Sequence, residues 1–453
     1  MISFADGCKP QKKTRMNDTH PPIKKGLNFL SQIHLFFKQE TGQSLRLWAI
    51  IALLNFSAQI IFRRELISAP GEFSSLNTIL GMAGLMIAPL MALKLAFAFY
   101  PTLPHPPERQ GPMETLHAAI PRVTQTVALI WGGISMLLLF VLLPLLNLPR
   151  FSLGLFALLV VMVALGGLVS ESLCRNKNSL RTWSWLLVSA ALTRVILGAG
   201  LAWKEPVAEA GLAAFLLAGF ITLTPVLRQP EIEMATMEEW RSMWNRDFLI
   251  YLGATLSVVL GLFLFSSADR IIAQSWFGRS DDNNLGLVHW TVCDDYQTAG
   301  LLGRGLLWGT QPLLLVLFMQ RSRLNRTSPV SLKFFWIYLG ALWGGAVLLA
   351  LLGHPLTWLF SGTNSPDTYR LIPAFALAMA LLGLLQGLGV FALASRRYPE
   401  CFVLGGSSIA YTLVLYFVGR QPVLMLTYMF GGGLVALLLL LFVGIVRWGR
   451  KQP

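Results

Sequence analysis

Apolar residues in this chain come in long blocks with almost no charge, separated by short polar steps. The pattern matches neither the two-residue alternation of a half-buried strand nor the narrow stripe of a soluble amphipathic helix. A helix rising 1.5 Å per residue needs roughly 20 apolar residues to cross a hydrocarbon layer of about 30 Å. Twelve blocks of about that size can be placed. Six lie at 46–62, 77–99, 123–146, 151–170, 182–203 and 206–227. Six more lie at 248–266, 295–319, 332–353, 369–394, 401–419 and 422–446. The expected fold is an all-α polytopic membrane protein, about twelve transmembrane helices in two six-helix bundles around a central cavity.

An internal repeat supports the division into halves. The first block ends in IIFRREL and is followed by a helix carrying Pro89; the seventh ends in SSADRII and is followed by one carrying Pro312. Parallel six-helix repeats with substrate bound between them are a recurrent transporter design. The expected domains are therefore an N-terminal bundle at 45–227, a linker helix at 228–247, a C-terminal bundle at 248–446 and a short tail at 447–453. The linker sets Glu231, Glu233, Glu238 and Glu239 among Met234, Met237, Trp240 and Trp244, as a helix lying on a surface would. Residues 1–44 form a basic tail with no apolar core behind it, so no cleavable signal is read there. Within it, Leu27, Leu30, Ile33 and Phe37 fall near one helical face, consistent with an interfacial helix or an unstructured tail with one apolar patch.

Composition narrows the class. With 453 residues, 55% hydrophobic, 13% charged and a mean hydropathy of +0.60, the chain is too apolar and too long for one soluble core. The net charge of +14 is read as cationic loops beside anionic lipid, and no nucleic-acid partner is expected. Cys8, Cys174, Cys293 and Cys401 lie far apart, and His289 and His354 show no ligand spacing, so no metal site is expected. There is no phosphate-binding GxxxxGK sequence, hence no expected ATP hydrolysis and no cofactor. With the amino terminus inside, the cytosolic loops hold about twice the Lys and Arg of the external ones, including Arg175, Lys177, Arg321, Arg323 and Arg396. Both termini are expected in the cytosol and the connection 267–294 outside, in a plasma (bacterial inner) membrane.

Candidate chemistry lies in three cations within the blocks: Lys94, Arg194 and Arg304. Each costs about 2.5–3.5 kcal/mol at mid-bilayer on insertion scales, so each should face a water-filled cavity or a partner. The blocks hold no clear acid to match them, which leaves an external anion such as a lipid-linked pyrophosphate. Lys94 lies near a block end and can also snorkel. Asn55 and Gln59 share a helical face and suit either sugar hydroxyls or helix bridging; Gln386 is a further cavity candidate. Gly340/Gly344 and Gly383/Gly387 are small-xxx-small pairs, read as packing.

The stretch FLIYLGATLSVVLGLFLFSSADRIIAQSWFG, Phe248 to Gly278, resembles the seventh helix of polysaccharide and oligosaccharide-lipid flippases of the multidrug/oligosaccharidyl-lipid/polysaccharide (MOP) exporter superfamily. LRLWAIIALLNFSAQIIFRRELISAPGEFSSLNTILGMAGLMIAPLMALKLAF is similar to their first two helices, DDYQTAGLLGRGLLWGTQPLLLVLF to the eighth and FALAMALLGLLQGLGVFALASRRY to the tenth. The basic tail and the polar insert between Gly278 and Tyr296 depart from that pattern. The resemblance implies a non-enzymatic flippase for an anionic lipid-linked glycan, with membrane lipids and glycan-assembly proteins as candidate partners. On this reading Arg194, Arg304, Lys94, Asn55, Gln59 and Gln386 are the expected substrate contacts, and Asp269, which matches the family's Asp at the end of the seventh helix, Arg270, Pro89 and Pro312 have structural or gating roles. A multidrug antiporter of the same superfamily, or a glycan polymerase or ligase, are the rival readings.

Overall fold

Every apolar block is helical in the computed structural model, which describes residues 40–100, 111–176, 180–228, 234–277, 285–323, 329–362 and 365–449. The interfacial helix expected near residue 30 lies outside them. Twelve helices of fifteen residues or more carry the described chain. The first six are α1 (Glu40–Glu65), α2 (Glu72–Phe99), α3 (Gly111–Leu142), α4 (Phe151–Asn176), α5 (Leu180–Lys204) and α6 (Ala208–Thr222). The second six are α7 (Arg246–Phe277), α8 (Leu285–Arg323), α9 (Pro329–Leu351), α10 (Pro366–Ala394), α11 (Tyr398–Val418) and α12 (Pro422–Gly449). Pro89 lies inside α2 and Pro312 within the range of α8.

The breaks between helices follow local chemistry. Gly71, with φ of 85°, turns the chain into α2, and Asn147 adopts φ of 45° ahead of α4, both conformations that suit these residue types. Ser365 caps α10, its hydroxyl accepting from the Thr368 amide, with Pro366 at the first helical position. Two boundaries differ from expectation. The linker helix is short, Met237–Met243. More consequentially, α7 does not stop near 266: its ladder runs unbroken to Phe277, and α8 is already helical from Leu285. The expected external connection 267–294 therefore shrinks, and Asp269 and Arg270 lie within a helix. A Ser-Ser-Ala-Asp-Arg step interrupts hydrophobicity, but none of these residues prevents the backbone from continuing its hydrogen bonds.

Eight of the helices are long and apolar enough to cross a membrane, and a ninth span is formed if α9 is joined to the short helix Gly353–Ser361, which bends from it by 76°. The others are α1, the 15-residue α6 and the polar α8. Aromatic residues ring both ends of the outer surface, as interfacial side chains do. Trp203, Trp358 and Tyr416 are exposed at the end where α1 stops and α2 begins, termed the upper end; Trp185 and Trp336 are exposed at the lower.

The halves repeat the same neighbours. In the first, α4 packs on α2, α3 and α6, and α6 on α5; in the second, α10 packs on α8, α9 and α12, and α12 on α11. Each of these four pairings recurs six helices on, whereas the extensive packing of α7 on α11 has no comparably extensive α1–α5 contact among the described residues. The most extensive seam between halves joins α2 to α7. Its lower end is aromatic: Phe248 stacks on Phe97 with ring centroids 5.4 Å apart, and Tyr100 packs edgewise on Phe248 at 5.3 Å. Small residues allow close approach elsewhere. Gly383 and Gly387 of α10 meet Leu342 and Tyr338 of α9, and the Tyr338 hydroxyl donates to the Gly383 carbonyl at 2.5 Å. Gly340 and Gly344, the other pair expected to pack, face open space, because α9 turns its opposite side to α10.

At the upper end of the first half, Arg150 ties three segments together. Its guanidinium donates to both oxygens of Glu209 at 2.7 and 2.5 Å and to Glu72 at 2.5 Å; Glu72 also accepts from the Ala208 amide, and Glu209 from the Ser152 hydroxyl. Both carboxylates stand in first helical turns, where the helix dipole favours negative charge. Burial pulls the Arg150 guanidinium down, but its hydrogen bonds and proximity to Glu209 and Glu72 outweigh that and raise it. Glu72→Ala should orphan the Ala208 amide and half of the Arg150 pairing, costing about 1–3 kcal/mol. The expected readout is a lower melting temperature of detergent-extracted protein; an unchanged melt would show that the cluster contributes nothing to stability.

Candidate functional site

The membrane interior of the second half holds a charge pair, in which Asp269 Oδ2 is engaged and Oδ1 is buried without a partner. Asp269 of α7 is fully buried and Arg304 of α8 is 2% exposed; an Arg304 terminal nitrogen donates to Asp269 Oδ2 at 2.5 Å and its Nε to the Ser266 carbonyl at 2.8 Å. The Tyr296 hydroxyl donates to the same carboxylate oxygen at 3.3 Å. Gly300 and Gly303 open room for this, since a side chain at either would meet Arg304 or Phe375. In the first half Lys94 of α2 is paired with Glu171 of α4, both buried. Each half thus places a cation on its second helix and answers it with an acid from the same half.

These pairs correct the expectation that the cations in the membrane lack carboxylates. Asp269 became available because α7 continues past 266, and Glu171 because α4 continues to 176. Arg304 faces protein rather than a water-filled cavity. A cavity of about 90 Å³ between α2, α7 and α11 is lined by Leu85, Phe263, Ser267, Ala268, Ile271 and Thr412, and by none of the three cations.

Arg194 is arranged differently. On α5, it donates to the Asn55 side-chain oxygen of α1 at 2.5 Å and lies over the Phe215 ring of α6, 4.2 Å from its centroid. Its Nε is buried without a partner, and it forms none of the ion pairs found among the described residues. Gln59, one turn from Asn55, is buried with its Oε1 unpartnered. Asn55 and Arg194, separate candidates in the sequence, thus stand side by side, while Gln386 is buried in α10, away from any described contact with them.

The upper end of the seam between halves is polar, and most of its members escaped sequence reading. Asp294, near the start of α8, accepts from the Gly71 and Ser74 amides at 2.8 and 2.9 Å, so a residue of one half caps a helix of the other. Asp295 accepts from the hydroxyls of Thr368 and Ser365 at 2.7 and 3.1 Å and lies 3.7 Å from Arg63 of α1. The Arg270 carbonyl accepts from Gln297 at 2.9 Å and Thr78 at 3.4 Å. Arg270 itself is 9% exposed, with its guanidinium laid on Gly81 of α2 and donating to the Ser267 hydroxyl at 2.7 Å. The one signal available in sequence was the Asp294-Asp295 doublet at the start of the apolar block 295–319.

No protein-family model matches the chain, and no curated protein does. Solved structures do. It is similar to the inward-facing form of a multidrug resistance MATE family transporter of the MOP superfamily, at 12% identity over 89% of this chain and 96% of that one, with a TM-score of 0.56. It is similar to the lipid II flippase MurJ in an inward closed conformation, at 13% identity over 87% and 85%, TM-score 0.56. It is also similar to the Vibrio cholerae MATE transporter VcmN in a bent form, at 15% identity over 90% and 97%, TM-score 0.54. The chain has the MOP exporter fold. These neighbours are transporters and a flippase, and what the likeness shows for this chain is their fold.

The ion pair within the second half is separable by mutation. Arg304→Gln should leave Asp269 buried and uncompensated, a loss of about 3–5 kcal/mol, whereas Asp269→Asn with Arg304→Gln should recover most of it. Thermal stability by fluorescence-detected size exclusion measures both. Additive losses in the double variant would show that the two side chains are not coupled.

Proposed function

We propose that this MOP-fold transporter is a flippase moving an anionic, lipid-linked glycan precursor between the two faces of a bacterial inner membrane by alternating access. The observation that carries the reading is Arg194, a cation in the membrane interior answered by one amide oxygen and one aromatic face. An uncompensated guanidinium favours an anionic cargo, because a phosphate can accept two of its donors at once in a site where water competes poorly. Asn55 and Gln59 beside it would meet sugar hydroxyls or the phosphate. The similarity to a lipid II flippase agrees with this.

The multidrug antiporter reading draws on the similarity to MATE transporters. A cationic drug would want a carboxylate available in the interior, and Asp269 and Glu171 are both engaged by basic side chains. The acids are thus committed and a base is left over, which favours the anionic cargo. In this reading the N-terminal set 45–227 and the C-terminal set 248–446 rock as bodies, with 228–247 joining them on the cytosolic side. Both termini are cytosolic and the upper end is external.

Arg194→Gln should leave membrane expression near the parent's while glycan-lipid translocation falls by about tenfold or more, and Arg194→Lys should restore part of it, since charge returns without the planar fork. Translocation at the parental rate by Arg194→Gln would defeat the mechanism. Orientation is tested separately with single cysteines at Asn283 and Gln452 and an impermeant thiol reagent on intact cells: labelling at 283 alone is expected, and labelling at 452 alone would reverse the topology.

A further inference from the structure

The two halves do not offer matching cations to a substrate, because Arg304 is already neutralised by Asp269. What remains in the second half is Arg270. It is nine-tenths buried, its Nε has no hydrogen-bond partner, and it forms none of the ion pairs among the described residues. The neighbouring acid, Asp269, spends its described contacts on Arg304 and Tyr296. Counting Asp269, Arg270 and Arg304 together leaves one positive charge in excess inside this part of the second half.

The side chain is also specifically housed. A Cβ at Gly81 would fall 2.3 Å from Arg270 Nε, so the absence of a side chain there is what lets the guanidinium lie between α2 and α7. Its terminal nitrogen donates to Ser267, whose side of α7 borders the cavity between α2, α7 and α11. The contact lies on the seam between halves, so separation of α2 from α7 would lift Gly81 off the guanidinium and free its unpartnered edge. A cation that is buried against a glycine of the other half, with no acid of its own, is an anion contact closed over by the conformation.

We propose that Arg270 is the second-half counterpart of Arg194 in holding the phosphate or pyrophosphate of the cargo, and that it becomes available as α2 leaves α7 at the upper end. Arg304 then serves as the internal partner of Asp269 and does not touch the cargo. This rests on the flippase reading and assigns its second anion contact.

The test uses full-length protein in nanodiscs of zwitterionic lipid, titrated with a polyprenyl pyrophosphate and read by native mass spectrometry, with inorganic pyrophosphate and phosphatidylglycerol as competitors. Arg270→Gln and Arg194→Gln should each weaken binding by about tenfold or more, the scale of one charged hydrogen-bonding group. Arg270→Lys should be intermediate, and Asp269→Asn with Arg304→Gln should bind like the parent. Competition by inorganic pyrophosphate supports a phosphate site; displacement by phosphatidylglycerol alone would overturn it as a general lipid contact. Parental affinity in Arg270→Gln, with affinity lost in Arg194→Gln, overturns this inference and leaves the flippase reading standing. If the parent binds no polyprenyl pyrophosphate, the flippase reading falls and this inference with it.

Discussion

Charge inside a membrane is costly unless something answers it, and the interior of this protein is arranged around which of its charges are answered from within. Asp269 and Arg304 answer each other across α7 and α8, and Lys94 and Glu171 across α2 and α4. Each pair removes two insertion costs of a few kcal/mol at once and fixes the rotation of the helices that carry it. The polar α8 is held in the bundle by such contacts: Asp294 on α2, Asp295 on α10 and α1, Gln297 on the backbone of α7, Arg304 on Asp269. Its polarity is spent inward.

Much of the helix layout was legible in sequence because lipid imposes a simple rule of length and apolarity. The positions of the twelve blocks and the repeat of six follow from that rule. The charge partnerships did not follow, and the reason is specific. Apolar blocks that stop at 170 and 266 leave Glu171 and Asp269 just outside them, and the cations opposite then have no partner in the sequence. A helix buried among others is not bound to stop there, since its polar residues can be satisfied by neighbouring helices in place of water. The Arg194–Asn55 contact was within reach of sequence reasoning because both residues were polar positions well inside blocks. The capping of α2 by Asp294, 223 residues away from Gly71, depends on tertiary placement that no local pattern encodes.

The seam between the halves is chemically different at its two ends. At the lower end Phe97, Tyr100, Trp244, Phe248 and Tyr251 pack ring on ring. At the upper end the contacts across the seam are polar: Asp294 accepts from the Gly71 and Ser74 amides, the Arg270 carbonyl accepts from the Thr78 hydroxyl, and Arg63 lies 3.7 Å from Asp295. Water can replace a hydrogen bond at a net cost of only about 0.5–1.5 kcal/mol, but it cannot replace an aromatic contact, whose apolar area is lost at about 25 cal/mol per Å². Opening the upper end is therefore the step that solvent assists, while the aromatic lower end resists separation and suits a pivot. The helix that spans both halves at the upper end is α1, whose Phe62 packs on Phe215 and whose Phe56 packs on Phe360, with Arg63 reaching Asp295. Any parting of the halves there must release α1 from one side or the other: it holds the second half through Phe56 on Phe360 and Arg63 at 3.7 Å from Asp295, and the first through Phe62 on Phe215 and Asn55 at Arg194.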